Sequence, residues 1–533
     1  MYLCLIIINE IFIKVLIQMN KYNYDIINKY GIPIEFIEKA EKLAYKLSNW
    51  EKTSRILVIS HRDGDGISAA SVLYQCLKAL NFTDFHIRIL LSPEIDELLE
   101  YIGELKPDYV ITADIGADFG EILSKEVKDY IITDHHPSSN NKYGPNQLNP
   151  IEFGINDEDE ASGSTTIFML FYPLFDKEFW SSSKGKIVLC YAISGAISDF
   201  QMRPNKNPAS VNKFVLNIAL NNNAITVKRD ICIFGRSLYP VYLAIHYSNI
   251  PGFEDPELAN IIINKEIDGK TSEGIWKRIV DLRDDEKAKL MEIITRRLIE
   301  SNICRPSQYI KNELIGWVYD LVGLKGFDCT YIDDRRYTLD AREILHKVNY
   351  CCRRGYSNLA LTLLNNKRID PFVKFQIESF HKEGDTEIAT ALELFKKGEI
   401  PSKSWNGKIY LIDFTGHIFY DEVGVVAGVI MKSNKDIHII LSACEKEDGN
   451  LKLSVRASDL IWESIDHTNN ISDGRKIFEQ FKQKFPDDIK YGGHRWAFSS
   501  YIKRSLLDSI FEETKEYDLK LRHPIKKIPL IKL

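Results

Sequence analysis

Three clusters of carboxylates and imidazoles stand in the first 140 residues, each at the end of a short apolar run. His61-Arg62-Asp63-Gly64-Asp65-Gly66 follows the run 55–60, Ala113-Asp114-Ile115-Gly116 follows 109–112, and Asp134-His135-His136 follows 130–133. Runs of this kind read as buried strands, so the three clusters would meet at one mouth of a sheet. Side chains of these types gathered at one point are ligands for divalent cations. Two ions about 3.5–4 Å apart need a bridging carboxylate and further donors on each. His61, Asp63, Asp65, Asp114 and His135, with Asp199 further along, are the candidates. Mixed carboxylate and imidazole donors suit Mn²⁺ well and Mg²⁺ less well. The chemistry implied is hydrolysis of phosphate esters. The ions would neutralise phosphoryl oxygens and lower the pKa of a shared water, with no side-chain nucleophile required. Gly64 and Gly66 are expected to let the turn after the first run fold tightly. Each cluster alone has an ordinary structural explanation. Asp-x-Asp-Gly is common in turns and calcium loops, Asp114 could cap a helix, and an Asp ending a helix, as at Asp199, is unremarkable. Their recurrence at three successive strand ends favours a metal site.

The intervening sequence supplies the elements that would hold these residues. Residues 34–49 have helical apolar spacing at Phe36, Ala40, Leu43, Ala44 and Leu47. Strands are then expected at 56–60, 87–91, 109–112 and 130–133, alternating with helices at 67–80, 95–105 and 119–127. Such alternation predicts an α/β fold with a parallel sheet, whose ligands collect at the carboxyl ends of the strands. An acidic loop, 156–160, leads into a predicted helix over 165–175, and a second, 186–198, ends at Asp199. Composition turns to Pro, Asn and Lys around 203–213, a domain edge. A long charged helix is expected over 273–302. A second α/β segment begins near Asn406, with strands at 408–413, 437–443 and 451–455. There Gly492-Gly493-His494-Arg495 is expected to open a helix running through Arg504.

The chain has 533 residues, 44% hydrophobic and 27% charged, with a net charge of −6. This argues against a wholly basic nucleic-acid binder but not against a local basic groove. Nine cysteines without a CxxC pair indicate reduced thiols, a cytoplasmic location and no structural zinc. The apolar stretch 1–20 is interrupted by Asn9, Glu10 and Lys14, so no membrane span is expected, and Met19 is an alternative start.

His-x-Asp-x-Asp-Gly at 61–66, Ala-Asp-Ile-Gly at 113–116, Asp-His-His-Pro at 134–137 and Ala-Ile-Ser-Asp at 196–199 resemble the four motifs of the DHH phosphoesterase superfamily. Ser454-Val455-Arg456-Ala457-Ser458 and Gly492-Gly493-His494 resemble its DHHA1 domain, which in that superfamily closes over the active site. The resemblance implies two divalent ions, Mn²⁺ favoured and Mg²⁺ possible. One would be held by His61, Asp63 and Asp114, the other by Asp65, Asp114, His135 and Asp199, with Asp114 bridging. His136 would contact the scissile phosphate and Asp134 would orient its neighbours. Arg456, Ser458, Gly492, Gly493 and His494 would grip substrate phosphate. The implied organisation is an N-terminal extension and helix (1–49), a parallel-sheet DHH catalytic domain (50–205), a largely helical connecting region (206–404), a smaller α/β DHHA1 domain (405–512) and a basic tail (513–533). The paired domains are most similar to RecJ-like exonucleases, especially the archaeal branch, on which Val348 to Gly355 also bears. His61 departs from the Asp usual in bacterial RecJ, and only about 30 residues follow Arg504, too few for the extra OB domain of that group. The implied substrate is single-stranded DNA or RNA, and the GINS replication complex is an implied partner. Two other functions fit the same motifs: a phosphodiesterase of short oligonucleotides or cyclic dinucleotides, and a structural replication subunit.

Overall fold

The computed structural model describes residues 29–91, 94–302, 306–332, 337–434, 436–458, 474–486, 488–494 and 497–521. The apolar stretch 1–20, Arg495 and the end of the basic tail lie outside the described residues. The chain divides into two compact units, Met1–Ile377 and Glu378–Leu533.

In the first unit, α1 (Ile34–Ser48) precedes a sheet of β1 (Ile56–His61), β2 (Phe85–Leu90), β3 (Tyr109–Ala113), β4 (Asp129–Thr133) and β5 (Gln147–Leu148). The strand order is β2-β1-β3-β4-β5 and every neighbouring pair is parallel. The apolar runs explain this: Ile56 to Ile59 and Val110 to Ile111 are fully buried, as strands covered on both faces must be. The intervening helices are α2 (Gly64–Ala79), α3 (Ile95–Leu105) and α4 (Gly120–Glu126), followed by α5 (Gly163–Phe171), α6 (Ser183–Ser198) and α7 (Ser210–Asn221). Leu98, Ile102 and Leu123 of α3 and α4 pack against Leu57, Ile59, Val110 and Ile132 of the sheet. Helices α2, α5 and α6 pack against one another. Because β1 has β2 on one side and β3 on the other, the loops leaving β1 and β3 diverge and open a crevice at their carboxyl ends.

Two helix starts differ from the sequence expectation, and both bear on the site. Helix α2 begins at Gly64 rather than after Gly66, because the Asp63 carboxylate accepts the Gly66 N–H at 2.9 Å and caps it. Helix α5 begins at Gly163 because Ser162 and Thr165 form a reciprocal cap, and it gives way at Phe171 to a tighter turn containing Pro173.

The rest of this unit is not only helical. β6 (Thr226–Ile231) and β7 (Ile315–Asp320) form an antiparallel pair. They join α8 (Val241–Tyr247), α9 (Pro256–Asn264) and α10 (Asp284–Glu300) around a separate apolar core that includes Ile231, Ile245, Phe253, Ile263, Ile294 and Leu314. The helix predicted from residue 273 starts only at Asp284. Lys270 and Trp276 pair as a bridge, and Glu286 accepts the Arg283 N–H at 2.9 Å to set the start. Helices α11 (Ala341–Arg353) and α12 (Ser357–Asn365) return to pack on α2.

The second unit has a mixed sheet. After α13 (Pro371–Lys396) come β8 (Ser402–Trp405), β9 (Ile409–Asp413), α14 (Val423–Ser433), β10 (Ile439–Glu445), β11 (Leu451–Ala457), α15 (Arg475–Lys484), β12 (Ile489–His494), β13 (Ala497–Ile502) and α16 (Leu507–Leu521). The order is β12-β13-β11-β10-β9-β8, parallel only between β9 and β10. Residues 497–502 form a strand where a helix was predicted. Phe498, Ser500 and Ile502 are buried alternately, a period of two rather than 3.6. Among the described residues no helix is long and apolar enough to cross a membrane.

Candidate metal centre

The first cluster splits in function as soon as α2 is formed. Asp63, at the helix cap, is half-exposed and lies 2.9 Å from His61 Nδ1. Asp65, in the first turn, is buried, and its carboxylate accepts the main-chain N–H groups of Gly163 at 2.7 Å and Ser164 at 3.0 Å. Those N–H groups open α5, so the positive end of that helix holds a carboxylate from 98 residues away. Hydrogen bonds to a charged acceptor contribute about 1.5–3 kcal/mol each, which offsets part of the cost of its burial. The two glycines serve close packing rather than a turn. A Cβ on Gly66 would lie 2.2 Å from the His61 carbonyl oxygen, and one on Gly64 would lie 2.0 Å from Ser198 Oγ.

Asp114 follows β3 with a left-handed backbone, φ 62°, which only Gly, Asn and Asp adopt readily. It does not cap α4, which starts six residues later. Both its carboxylate oxygens are buried and have no well-aligned hydrogen-bond donor among the described residues. They are instead close to imidazoles: His61 Nδ1 lies 3.8 Å from Oδ2 and His135 Nε2 lies 3.2 Å from Oδ1. A Cβ on Gly163 would fall 2.4 Å from Asp114 Oδ1, so only glycine fits beside it.

The third cluster leaves β4 with its two imidazoles oriented by different partners. Asp134 Oδ1 accepts the main-chain N–H groups of His135 at 2.8 Å and His136 at 3.1 Å, and lies 2.9 Å from His136 Nδ1. Its other oxygen accepts the Ala117 N–H at 2.9 Å. His135 Nδ1 lies 3.2 Å from the Asp157 carbonyl oxygen, which directs Nε2 towards Asp114 and Asp199. Asp199 caps the end of α6, and its Oδ2 lies 3.7 Å from His135 Nε2.

Donor atoms of His61, Asp63 and Asp114 lie within 4.8 Å of one another, as do those of Asp65, His135 and Asp199, and those of Asp114, His135 and His136. Two buried carboxylates, Asp65 and Asp114, with Asp199 beside them, repel at such spacing, and the charges show it. Burial, then Asp114 and Asp199, push Asp65 well above the usual carboxylate range. Burial alone would lower His61, but Asp63 and Asp114 outweigh it and raise its pKa to about 10. His135 is likewise raised well above an ordinary imidazole against its burial, by Asp199, Asp114 and Asp65. Asp134 is held low against burial by His136. A cluster whose carboxylates repel and whose imidazoles hold protons in their place is one that divalent cations fit.

Residues 55–193 match the family model described as the DHH family, N-terminal domain. The first unit carries a DHH-family domain. A protein of Methanocaldococcus jannaschii, named only as uncharacterised, is 30% identical over 285 residues, 52% of this chain and 60% of that protein. Among solved structures, RecJ of Thermus thermophilus in complex with Mn²⁺ has a TM-score of 0.51 at 16% identity, over 91% of this chain and 55% of that one. CDC45 of Entamoeba histolytica has a TM-score of 0.58 at 12% identity, over 90% of this chain and 99% of that one. At these identities the two structures establish a shared fold. The chain spans little more than half the length of the Thermus RecJ and 60% of the Methanocaldococcus protein.

Several groups around the DHH-domain centre escaped the sequence reading. Gln201 is buried, and its amide nitrogen lies 2.7 Å from Asp199 Oδ2 and 2.8 Å from the Asp157 carbonyl oxygen. Its Oε1 accepts from Asn212 at 2.7 Å, and Asn212 Oδ1 accepts from Thr165 Oγ1 at 2.8 Å, which ties Asp199 to α5. The position of Gln201, two residues after Asp199, was the available signal. In the second unit, Arg456 and His494 both pair with Ala497 across neighbouring strands, so they share one row of the sheet. Gly492 and Gly493 pair with Ser499 and Phe498. Arg456 Nη1 donates to the Val455 carbonyl at 2.8 Å, and a Cβ on Gly424 would lie 2.6 Å from its Nη2. Ser458 follows β11, its N–H bonded to the His438 carbonyl at 2.9 Å.

Proposed function

We propose that this protein is a metal-dependent phosphodiesterase, a RecJ-like exonuclease that hydrolyses single-stranded DNA or RNA to mononucleotides. The observation that carries the reading is Asp114. Its two buried oxygens have no well-aligned hydrogen-bond donor among the described residues and lie between two groups of metal-donor side chains, His61 with Asp63 and His135 with Asp65 and Asp199. A bridging carboxylate between two cations needs that environment. His61, Asp63 and Asp114 would hold one ion, and Asp65, Asp114, His135 and Asp199 the other. The donor chemistry favours Mn²⁺, with Mg²⁺ second. Ions bound there supply neutralisation of a phosphoryl group and a more acidic water.

The chain's own residues would do the rest. Asp134 fixes the His136 ring by Nδ1, so contact with a phosphoryl oxygen falls to Nε2. The Asp157 carbonyl and Gln201 keep His135 and Asp199 in place. Arg456, with Ser458, Gly492, Gly493 and His494, is assigned the grip on substrate phosphate, a task suited to an Arg fork and main-chain N–H groups. The likeness of the fold to CDC45 supports a second reading, a structural replication subunit, with the GINS complex as a partner. The intact donor set favours catalysis.

One experiment separates the readings. Single-stranded DNA and RNA, labelled at either end, are incubated with Mn²⁺ and either the parent or an Asp65→Ala/Asp114→Ala variant. Mononucleotide release by the parent alone supports the nuclease. Equal cutting by both proteins removes the assigned centre, and no cutting of any nucleotide favours the structural role.

A further inference from the structure

Helix α6 closes in a way its sequence does not favour. The Phe200 N–H donates to the Ile197 carbonyl at 3.2 Å and the Gln201 N–H to the Ala196 carbonyl at 3.0 Å. This closure places Phe200 in the left-handed region, at φ 58°, a position glycine ordinarily occupies. Of the non-glycine residues with such a backbone among those described, Phe200 alone is aromatic. Burial does not explain the choice, since the side chain is 71% exposed. A bulky ring held against its backbone preference and left in water is a feature to explain by ligand contact. Its neighbours on both sides, Asp199 and Gln201, reach into the metal centre.

A second aromatic is fastened to the segment that follows. The Trp317 main-chain N–H donates to the Pro204 carbonyl at 2.7 Å, and its indole Nε1 donates to Asn207 Oδ1 at 3.0 Å. Gly316 allows this contact, since a Cβ there would lie 2.4 Å from Pro204 Cβ. Arg229 is the cross-strand partner of Trp317, with its guanidinium 5.5 Å from the ring centre. Among the described residues Arg229 has no carboxylate partner, whereas the nearby Lys228 and Lys206 pair with Asp230 and Asp159. From Phe200 to Pro204 the chain spans at most about 14 Å, a few nucleotides.

We propose that Phe200, Trp317 and Arg229 form a stacking track for single-stranded nucleic acid beside the DHH-domain centre. The proposal rests on the nuclease reading and extends it. Aromatic faces interleaved with an arginine grip a strand without reading its sequence, because every base offers a π face and every linkage a phosphate.

The test is fluorescence anisotropy with labelled oligo-dT and oligo-U of increasing length, in Ca²⁺ in place of Mn²⁺. The parent should bind longer strands more tightly. Trp317→Ala and Phe200→Gly should each weaken binding roughly 5- to 100-fold, and Phe200→Trp should restore it. Arg229→Ala should lower the salt slope of the logarithm of affinity by about one. Phe200→Gly relieves the backbone, so its melting temperature should match or exceed that of the parent, which separates lost stacking from lost fold. Parent-like affinity of both Phe200→Gly and Trp317→Ala at every length overturns the track, as does duplex binding as tight as single-strand binding. A parent that binds strands through these residues yet releases no nucleotide would remove the nuclease and keep the track. A parent that cuts, with variant affinities unchanged, would do the reverse.

Discussion

Gly195→Ala is a demanding test of the centre, because two principles give it opposite signs. Gly195 lies inside α6, where alanine would ordinarily stabilise a helix by about 0.5–1 kcal/mol. Yet the added Cβ would sit 2.0 Å from Asp65 Oδ1 and 2.0 Å from Ser164 Oγ. To reach ordinary contact, the carboxylate and the start of α5 must retreat by about 1 Å, and overpacking of that kind costs roughly 1–3 kcal/mol. The steric term therefore wins. The displaced atom belongs to a proposed metal-donor carboxylate whose two oxygens are each already held by a main-chain N–H group, so the loss should be greater in function than in stability. A misplacement of about 1 Å costs on the order of 100-fold in rate. The expected result is a melting temperature lowered by a few degrees without metal, Mn²⁺ affinity reduced at least tenfold by calorimetric titration, and cleavage of single strands slowed about 100-fold. Parent-like Mn²⁺ affinity in a folded Gly195→Ala protein would refute the placement of Asp65 in the centre.

Other consequences can be measured directly. Because Asp63 and Asp114 raise His61 to about 10, it holds a proton at neutral pH, and the neighbouring carboxylates push His135 in the same direction, so Mn²⁺ binding should release protons. Affinity should rise with pH until His61 has titrated near 10. Calorimetry in buffers of different ionisation enthalpy reads the release, and none at pH 7 would contradict the charge assignment. Asp134→Asn should loosen His136 and slow cleavage roughly 10- to 100-fold while Mn²⁺ affinity stays within a few-fold, which a comparison of kcat with metal titration decides. Glu343, buried on α11 beside Asp340, has its pKa raised to about 8 by burial and then by that neighbour. The folded state thus keeps a proton that the unfolded chain loses near 4.5, so stability should fall between about pH 4.5 and 8. Denaturant melts of Glu343→Gln should show a shallower fall than the parent, and an unchanged slope would count against this origin.

The sheet was legible because its strands are short, nearly continuous apolar runs, and the alternation with helices left little choice but parallel pairing. The ends of those strands placed His61, Asp114 and Asp134 to His136 at one edge for the same reason. What the sequence concealed was set by single hydrogen bonds and by distant chain. The early start of α2, which puts Asp65 in a helical turn rather than a loop, depends on one bond from Asp63. The acidic loop 156–160 stood out for its carboxylates, but what reaches His135 is the main-chain carbonyl of Asp157, which no side-chain type reveals. The strand at 497–502 hid behind a glycine pair that reads equally as a helix start, and only burial of alternate residues against the second unit's core decides it. The Gln201 to Asn212 link needs residues from two helices and a loop to meet.

The hold of α5 on Asp65 also makes the metal site a sensor of a remote segment. Opening of residues 162–171 need not unfold the domain, since segments of a protein open separately with their own free energies. Each such opening would release the two N–H groups that fix Asp65. A substitution that frays α5 would then appear first as weakened ion binding and only later as a lowered melting temperature. By the same linkage, bound ion would slow hydrogen exchange in α5, a segment that supplies no side-chain donor to it.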